Sequence, residues 1–188
     1  MLPTLESSAV AKIDPRVKRT RKLLLDAFSS LISEKSFEDI TVQDIAARAT
    51  VNRATFYAHF VDKYALVDKL IREDFAQLLQ RRLATHTGSA QEHLRQIFLA
   101  VTDHWTMHHG QCQHSHAMYD SVVEAQVRAQ LRDNVCSWLL EHSAQAHSRT
   151  RVDLVATIIS WAIYGAALEW SQRAGAQSAE AFADEASR

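Results

Sequence analysis

The sequence predicts an all-α fold in which a short three-helix unit precedes a longer helical body. Gly and Pro account for only 4 and 2 of the 188 residues, whereas sandwiches and other turn-rich β folds need many of both. Apolar residues recur three and four positions apart along most of the chain, which is the spacing of one helix face. No segment alternates apolar and polar residues for long enough to predict a strand.

The first predicted helix, Arg16–Ser33, opens on a basic cluster. Residues 1–14 before it are expected to form a flexible arm, since both prolines fall within the first 15 residues. Four cations stand in the opening turns of the helix, namely Lys18, Arg19, Arg21 and Lys22. Positive charge at a helix N-terminus opposes the helix dipole, so this cluster indicates a nearby phosphate.

Two short helices then follow with a tight break between them. Thr41, with Asp44 three residues later, has the pattern of a capping box, and Asn52 is a favourable N-cap for a helix over residues 53–60. Thr50 lies in the break. Two short helices braced by a longer one form a helix-turn-helix, whose second helix fits the DNA major groove. We therefore predict a DNA-binding domain over residues 15–62.

The remaining residues, 63–188, are predicted to form a body of longer helices. A helix opens at Asp62 and ends before Gly88, and further helices are expected over residues 91–109, 121–142, 151–173 and 178–188. Lys and Arg outnumber Asp and Glu in residues 12–63 and are outnumbered in residues 64–188. A basic N-terminal region followed by an acidic body indicates that the N-terminal region binds a polyanionic partner.

Composition also excludes several classes of protein. Two cysteines, Cys112 and Cys136, do not make a disulfide framework in a chain of this length. We find no signal peptide and no run of 18 apolar residues, so the expected location is the cytoplasm, without a membrane span. A glycine-rich phosphate loop and a nucleophile elbow are both lacking, which argues against an enzyme.

The segment Ile40–Leu66 resembles the DNA-binding signature of the TetR family of transcriptional regulators. Its most specific part is Thr55–Lys63, which reads Thr-Phe-Tyr-Ala-His-Phe-Val-Asp-Lys. The resemblance implies a ligand-responsive repressor that binds palindromic operator DNA as a homodimer and is released by a small-molecule effector, with no cofactor. The chain departs from the family at Thr50, where glycine is common, and a positive φ there would be strained.

Arg53 opens the second short helix and can form two hydrogen bonds to a guanine edge. The resemblance places several of its neighbours on the DNA backbone. The residues expected to contact double-stranded DNA are Thr41, Gln43, Asn52, Arg53, Thr55, Tyr57, His59 and Lys63.

The resemblance also implies an effector pocket in the body and a dimer interface on its last long helices. The candidate pocket walls are Phe98, Trp105, Tyr119, Trp138 and Trp161. The candidate interface residues on the helix over 151–173 are Leu154, Ile158, Ala162, Gly165, Ala166 and Glu169. Small residues among these would let two helices approach closely.

Two alternatives stay open at this point. His104 and His108 are four residues apart on one helix face, as paired metal ligands often are, and the histidine-rich stretch His104–His116 would suit a metal-responsive regulator. The second alternative is a helical binding module that no longer binds DNA, although Arg53, Tyr57 and Lys63 are all present. The sequence leaves the effector, the operator and the sign of regulation open.

Overall fold

The computed structural model describes residues 14–84, 88–109, 117–142, 148–173 and 177–186. These residues form helices and connecting turns, without a strand among them. The predicted flexible arm lies outside the described residues except for Asp14. The helices are α1 (Pro15–Ile32), α2 (Val42–Arg48), α3 (Arg53–His59), α4 (Lys63–Leu83), α5 (Ala90–His109), α6 (Ala117–His142), α7 (Arg149–Gln172) and α8 (Ala179–Ala186).

The helix-turn-helix forms because each of its helices has a strong N-cap. Thr41 and Asp44 make the full capping box, since each side chain accepts a hydrogen bond from the other residue's backbone N–H. Asn52 caps α3 by accepting from the backbone N–H of Thr55 at 2.7 Å. Such caps stabilise a helix by about 1 kcal/mol each, which matters for helices of 7 residues that would be marginal alone.

The turn between α2 and α3 contains Thr50 at φ 56°, which is the positive φ that would be strained at this residue. The backbone N–H of Val51 donates to Ala46 O at 2.9 Å, and that of Thr50 donates to Ala47 O at 3.1 Å. These two hydrogen bonds make a Schellman motif, whose left-handed residue is usually glycine. Thr50 therefore carries backbone strain that glycine would not.

Replacing Thr50 with Gly is expected to raise the free energy of unfolding by about 0.5–1 kcal/mol, because relief of strain exceeds the added unfolded-state entropy. Thermal unfolding followed by circular dichroism measures this. Ala47→Gly, at an exposed position inside α2, is the matched control and should destabilise by about the same amount. A destabilised Thr50→Gly variant would contradict the interpretation.

Helices α4 to α7 form the body, and their buried side chains join those of α1 to α3 in one continuous hydrophobic core. α6 packs along α7, while α4 contacts both α5 and α6. α8 lies against α5, where the rings of Phe98 and Phe182 stack at 5.6 Å and Arg95 pairs with Asp184 at 2.9 Å.

α6 begins at Ala117, four residues before the start that the apolar spacing predicted. Tyr119, in this additional turn, is buried against the rings of Phe28 and Phe37. The contact is long-range, so the local pattern could not reveal it. α8 spans Ala179–Ala186, and residues 187–188 of the predicted last helix lie outside the described residues.

α7 is long and apolar enough to cross a membrane by length and composition alone. The core helix of a water-soluble protein passes the same test. Here Val152, Ala156, Ile163 and Ala167 are buried within the protein. This packing accounts for part of the helix's apolar character.

Candidate nucleic-acid interface

Helix α3 presents one polar face outward and is anchored by one buried ring. Phe56 is fully buried, whereas Arg53 and Tyr57 are exposed. The guanidinium carbon of Arg53 lies 6.0 Å from the centroid of the Tyr57 ring. Arginine over an aromatic face is a stabilising arrangement, and it holds both side chains on the outer face of α3.

Asn52 and Thr55, both predicted DNA contacts, are engaged with each other. Asn52 Oδ1 accepts from the backbone N–H of Thr55 and from its hydroxyl at 2.9 Å. Both lie at the start of α3, where Asn52 caps the helix, and their contact with DNA stays a prediction.

Two ion pairs brace α2 against the end of α1. Arg48 donates two hydrogen bonds of 2.7 Å to Glu34, one to each carboxylate oxygen. Lys35 Nζ lies 2.7 Å from Asp44 Oδ2, and this hydrogen bond, with those from Thr41, lowers the pKa of Asp44. Bidentate arginine–carboxylate pairs fix geometry as well as contributing energy. The predicted contacts Thr41 and Gln43 are exposed on this braced helix.

His59, at the end of α3, lies close to a cation of α1. Its pKa is lowered, first by burial and then by the charge of Arg21. Arg21 itself stands over the Phe60 ring at 5.7 Å. The lowered pKa favours the neutral imidazole, which can donate an N–H to a phosphate without adding a positive charge.

Lys63, the first residue of α4, forms hydrogen bonds within the protein through its ammonium group. Its Nζ donates to the backbone oxygens of Phe37, Glu38 and Ile40 at 2.8, 3.1 and 2.9 Å. Nζ also lies 4.5 Å from the centroid of the Phe37 ring. The sequence predicted a DNA-backbone contact for this residue and gave no sign of these carbonyl partners, which lie 23 to 26 positions away in the chain.

An aromatic cluster joins the helix-turn-helix unit to the body, and we call Phe28, Phe37, Tyr64 and Tyr119 the junction cluster. The ring centroid of Phe37 is 6.1 Å from that of Phe28, 5.3 Å from Tyr64 and 5.8 Å from Tyr119. The Tyr64 hydroxyl donates to the sulfur of Met118 at 3.2 Å. Side chains of α1, the α1–α2 loop, α4 and α6 thus meet in this cluster.

The five predicted pocket residues contact different partners in the body, and a shared pocket among them stays a prediction. Tyr119 belongs to the junction cluster, and Trp161 is 55% exposed on the outer face of α7. The guanidinium carbon of Arg128 lies 3.7 Å from the centroid of the Trp161 ring. Apolar spacing identified aromatic residues of the body but could not say which way each one faces.

The other three predicted pocket residues pack in separate places. The ring of Phe98 stacks on that of Phe182 in α8. The ring centroids of Trp105 and Tyr164 are 6.2 Å apart. Trp138 is sandwiched between two imidazole rings, with centroids 4.9 Å away at His93 and 4.8 Å away at His142.

Two open clefts lie elsewhere among the described residues. One, of about 420 Å³, lies between α4 and α5 beside the ion pair of Arg82 and Asp103. The Nε atom of Arg82 lies 2.7 Å from Asp103 Oδ2. The other, of about 430 Å³, lies between α6 and α7 around Cys136 and Asp153. Neither cleft is lined by a predicted pocket residue.

The outer face of α7 is apolar and exposed, and we call it the α7 face. Ile158 is 59% exposed, and Leu154 and Trp161 are exposed to a similar extent. A side chain added at Gly165 would meet nothing within 4 Å. The α7 face consists of Leu154, Val155, Ile158, Trp161, Ala162 and Gly165. Of the other predicted interface residues, Glu169 is exposed and Ala166 half-buried.

The histidine-rich stretch is described only in part. His104 is buried, with its ring 5.6 Å from that of Phe75. The side chain of His108 and the stretch over residues 110–116 lie outside the described residues. Among the residues that are described, no three His, Cys, Asp or Glu side chains come together as a metal site.

Comparison with known proteins identifies the N-terminal region. Residues 24–70 match the family model described as bacterial regulatory proteins, tetR family. The HTH-type transcriptional regulator YxbF of Bacillus subtilis is 38% identical over 69 residues, which are 36% of this chain and 18% of that protein. The HTH-type transcriptional repressor KstR2 of Mycobacterium tuberculosis is 28% identical over 102 residues. These residues make up 53% of this chain and 51% of KstR2.

Similarity of fold extends over most of the chain. The crystal structure of the transcriptional regulator FadR from Bacillus subtilis, in complex with stearoyl-CoA, superposes with a TM-score of 0.57 at 17% identity. That match covers 88% of this chain and 95% of FadR. By contrast, the sequence matches span about half or less of the length of these two curated relatives.

Proposed function

Because residues 24–70 match the family of bacterial regulatory proteins described as tetR family, we propose that this chain is a ligand-responsive transcriptional repressor of that family, located in the cytoplasm. In this proposal two copies bind a palindromic DNA operator, and a small-molecule effector releases them. Its relatives are transcriptional regulators, and we propose no catalytic activity. The repressor role is supported by KstR2, which is described as a repressor.

The observation that carries the proposal is the outward polar face of α3 on a braced helix-turn-helix. Arg53 and Tyr57 project from α3, and Thr41 and Gln43 are exposed on α2. Since α2 is fixed by Arg48 and Glu34, the two helices would meet DNA as a rigid unit. Arginine at the start of a recognition helix suits the O6 and N7 acceptors of guanine.

Dimerisation is supported by the α7 face. Soluble monomers rarely expose contiguous apolar patches as large as several hundred Å², and this face runs along about three turns of one helix. A second copy related by two-fold symmetry would cover it with the same surface. Such a dimer presents two recognition helices to successive turns of the major groove.

Effector binding is supported by the fold, which resembles that of FadR with bound stearoyl-CoA. For this chain we propose only that a small molecule binds within the body, residues 63–188. An effector would act by favouring a dimer in which the recognition helices are wrongly spaced. A coupling of about 1–3 kcal/mol would change the DNA affinity by about 5- to 150-fold.

The decisive test is a DNA-binding titration on fragments selected from the source genome. If Z phosphates are neutralised, log K should fall against log salt with a slope of about −0.9Z. Fluorescence anisotropy with a labelled fragment measures K at each salt concentration. A protein without salt-sensitive affinity for any selected fragment would refute the proposal.

Arg53→Ala is expected to weaken binding to the selected operator by about 1–3 kcal/mol, or roughly 5- to 150-fold. The loss arises because a bidentate base contact disappears, so affinity for unrelated DNA should change much less. Arg81→Ala removes an exposed arginine at the end of α4 and is the matched control. Equal losses on operator and unrelated DNA would show that Arg53 does not read a base.

A further inference from the structure

The ammonium group of Lys63 is held at the centre of three backbone oxygens of the α1–α2 loop. The three Nζ to oxygen distances are 2.8, 3.1 and 2.9 Å. A lysine ammonium has three donors and no more. All three are therefore used within the protein, and a phosphate oxygen would have to displace one of these carbonyls.

The surroundings of Lys63 also favour a role inside the protein. Phe37, whose ring lies under the ammonium group, is fully buried. Tyr64 offers a second ring at 5.8 Å from Nζ. Burial lowers the pKa of Lys63, whereas two carboxylates near the loop, Glu38 and Asp39, favour its charged form.

The loop that Lys63 holds determines how α2 is placed. It connects α1 to Thr41, the N-cap of α2, and one of the three bonded oxygens belongs to Ile40, directly before that cap. The same oxygen set includes Phe37 O, which also accepts from the backbone N–H of Ile40 at 3.2 Å. A cation at this point therefore ties the start of α4 to the start of the helix-turn-helix.

We propose that Lys63 is a positioning residue that fixes the helix-turn-helix on the first turn of α4 and makes no phosphate contact in the DNA complex. The proposal rests on the proposed DNA-binding function for its biological meaning. The phosphate contacts that make DNA binding salt-dependent are therefore made by other residues.

Two substitutions separate positioning from phosphate binding. Lys63→Gln should lower the operator affinity by about tenfold or more at every salt concentration, with the slope of log K against log salt unchanged. Lys63→Arg should not restore affinity, because a planar guanidinium cannot direct its donors to three oxygens around one point. A phosphate contact gives the opposite results, namely a slope shallower by about 0.9 for Gln and recovery with Arg.

Amide hydrogen exchange without DNA tests the same proposal when Lys63→Gln binds too weakly to titrate. The backbone N–H of Ile40 and its neighbours over residues 38–42 should exchange at least about tenfold faster in both variants. Lys69→Gln removes a lysine of the same helix that pairs with Glu73 at 2.8 Å. This control should leave both exchange and affinity unchanged.

The outcomes are distinguishable. Unchanged exchange at residues 38–42 in the Gln variant, or a shallower slope with recovery by Arg, would overturn the positioning role. Wild-type protein that binds no DNA would refute the proposed function, yet the exchange result would still decide whether Lys63 holds the loop.

Discussion

Ile158→Asp is expected to convert the protein to monomers and to reduce operator affinity to the level of unrelated DNA. Specific complexes are about 10³-fold or more tighter than non-specific ones, so the predicted loss is of that order. Ile158 is 59% exposed in the single chain, so the substitution should cost little stability before assembly. Light scattering coupled to gel filtration measures the mass, and fluorescence anisotropy measures the affinity.

The size of this effect follows from the geometry of the proposed dimer. On a two-fold interface each substitution occurs twice, which places two carboxylates where apolar surface would be buried. Trp161, with Arg128 stacked at 3.7 Å, lies one turn further along α7. Large aromatic residues and arginine often dominate interface energies, so Trp161→Ala should weaken the dimer as well.

Met107→Asp is the matched control for Ile158→Asp. Met107 is 53% exposed and apolar, but it lines the cleft between α4 and α5. The same change there should leave the mass and the operator affinity unaltered. A wild-type protein that is monomeric at the concentrations used for DNA binding, or an Ile158→Asp variant that remains dimeric, would contradict the proposed interface.

The helices and caps of the N-terminal unit could be predicted because their signals are local. The capping box of Thr41 and Asp44 and the Asn52 cap each depend on residues within a few positions. Phe56, which lies in the most specific part of the sequence signature, is buried. The all-helical architecture follows from the same kind of short-range pattern.

The arrangement of the body could not be predicted in the same way. Tyr119 has the spacing of a pocket wall, yet its ring packs 5.8 Å from Phe37, 82 positions earlier in the chain. Trp161 was likewise predicted to be a pocket wall, yet its side chain is exposed. Likewise, the charge of Lys63 suggested a phosphate, because nothing in the neighbouring sequence reveals three carbonyl oxygens from a distant loop.

Phe37→Ala is expected to lower the free energy of unfolding by about 3–5 kcal/mol, the usual range for a buried phenylalanine. For a chain of this size the melting temperature should fall by about 6–20 °C. The ring contacts three members of the junction cluster and lies under Lys63. Its removal therefore takes packing from both the helix-turn-helix unit and the body.

The shape of the melting curve tests how these two parts are joined. Since Phe37 and Tyr119 belong to one continuous core, wild type and Phe37→Ala should each unfold in a single transition that shifts as a whole. Val61→Ala, at a side chain that is 79% exposed, is the control and should melt like wild type. Two transitions, of which only the first moves, would show that residues 15–62 unfold independently. In that case the junction cluster would not couple the DNA-binding unit to the body.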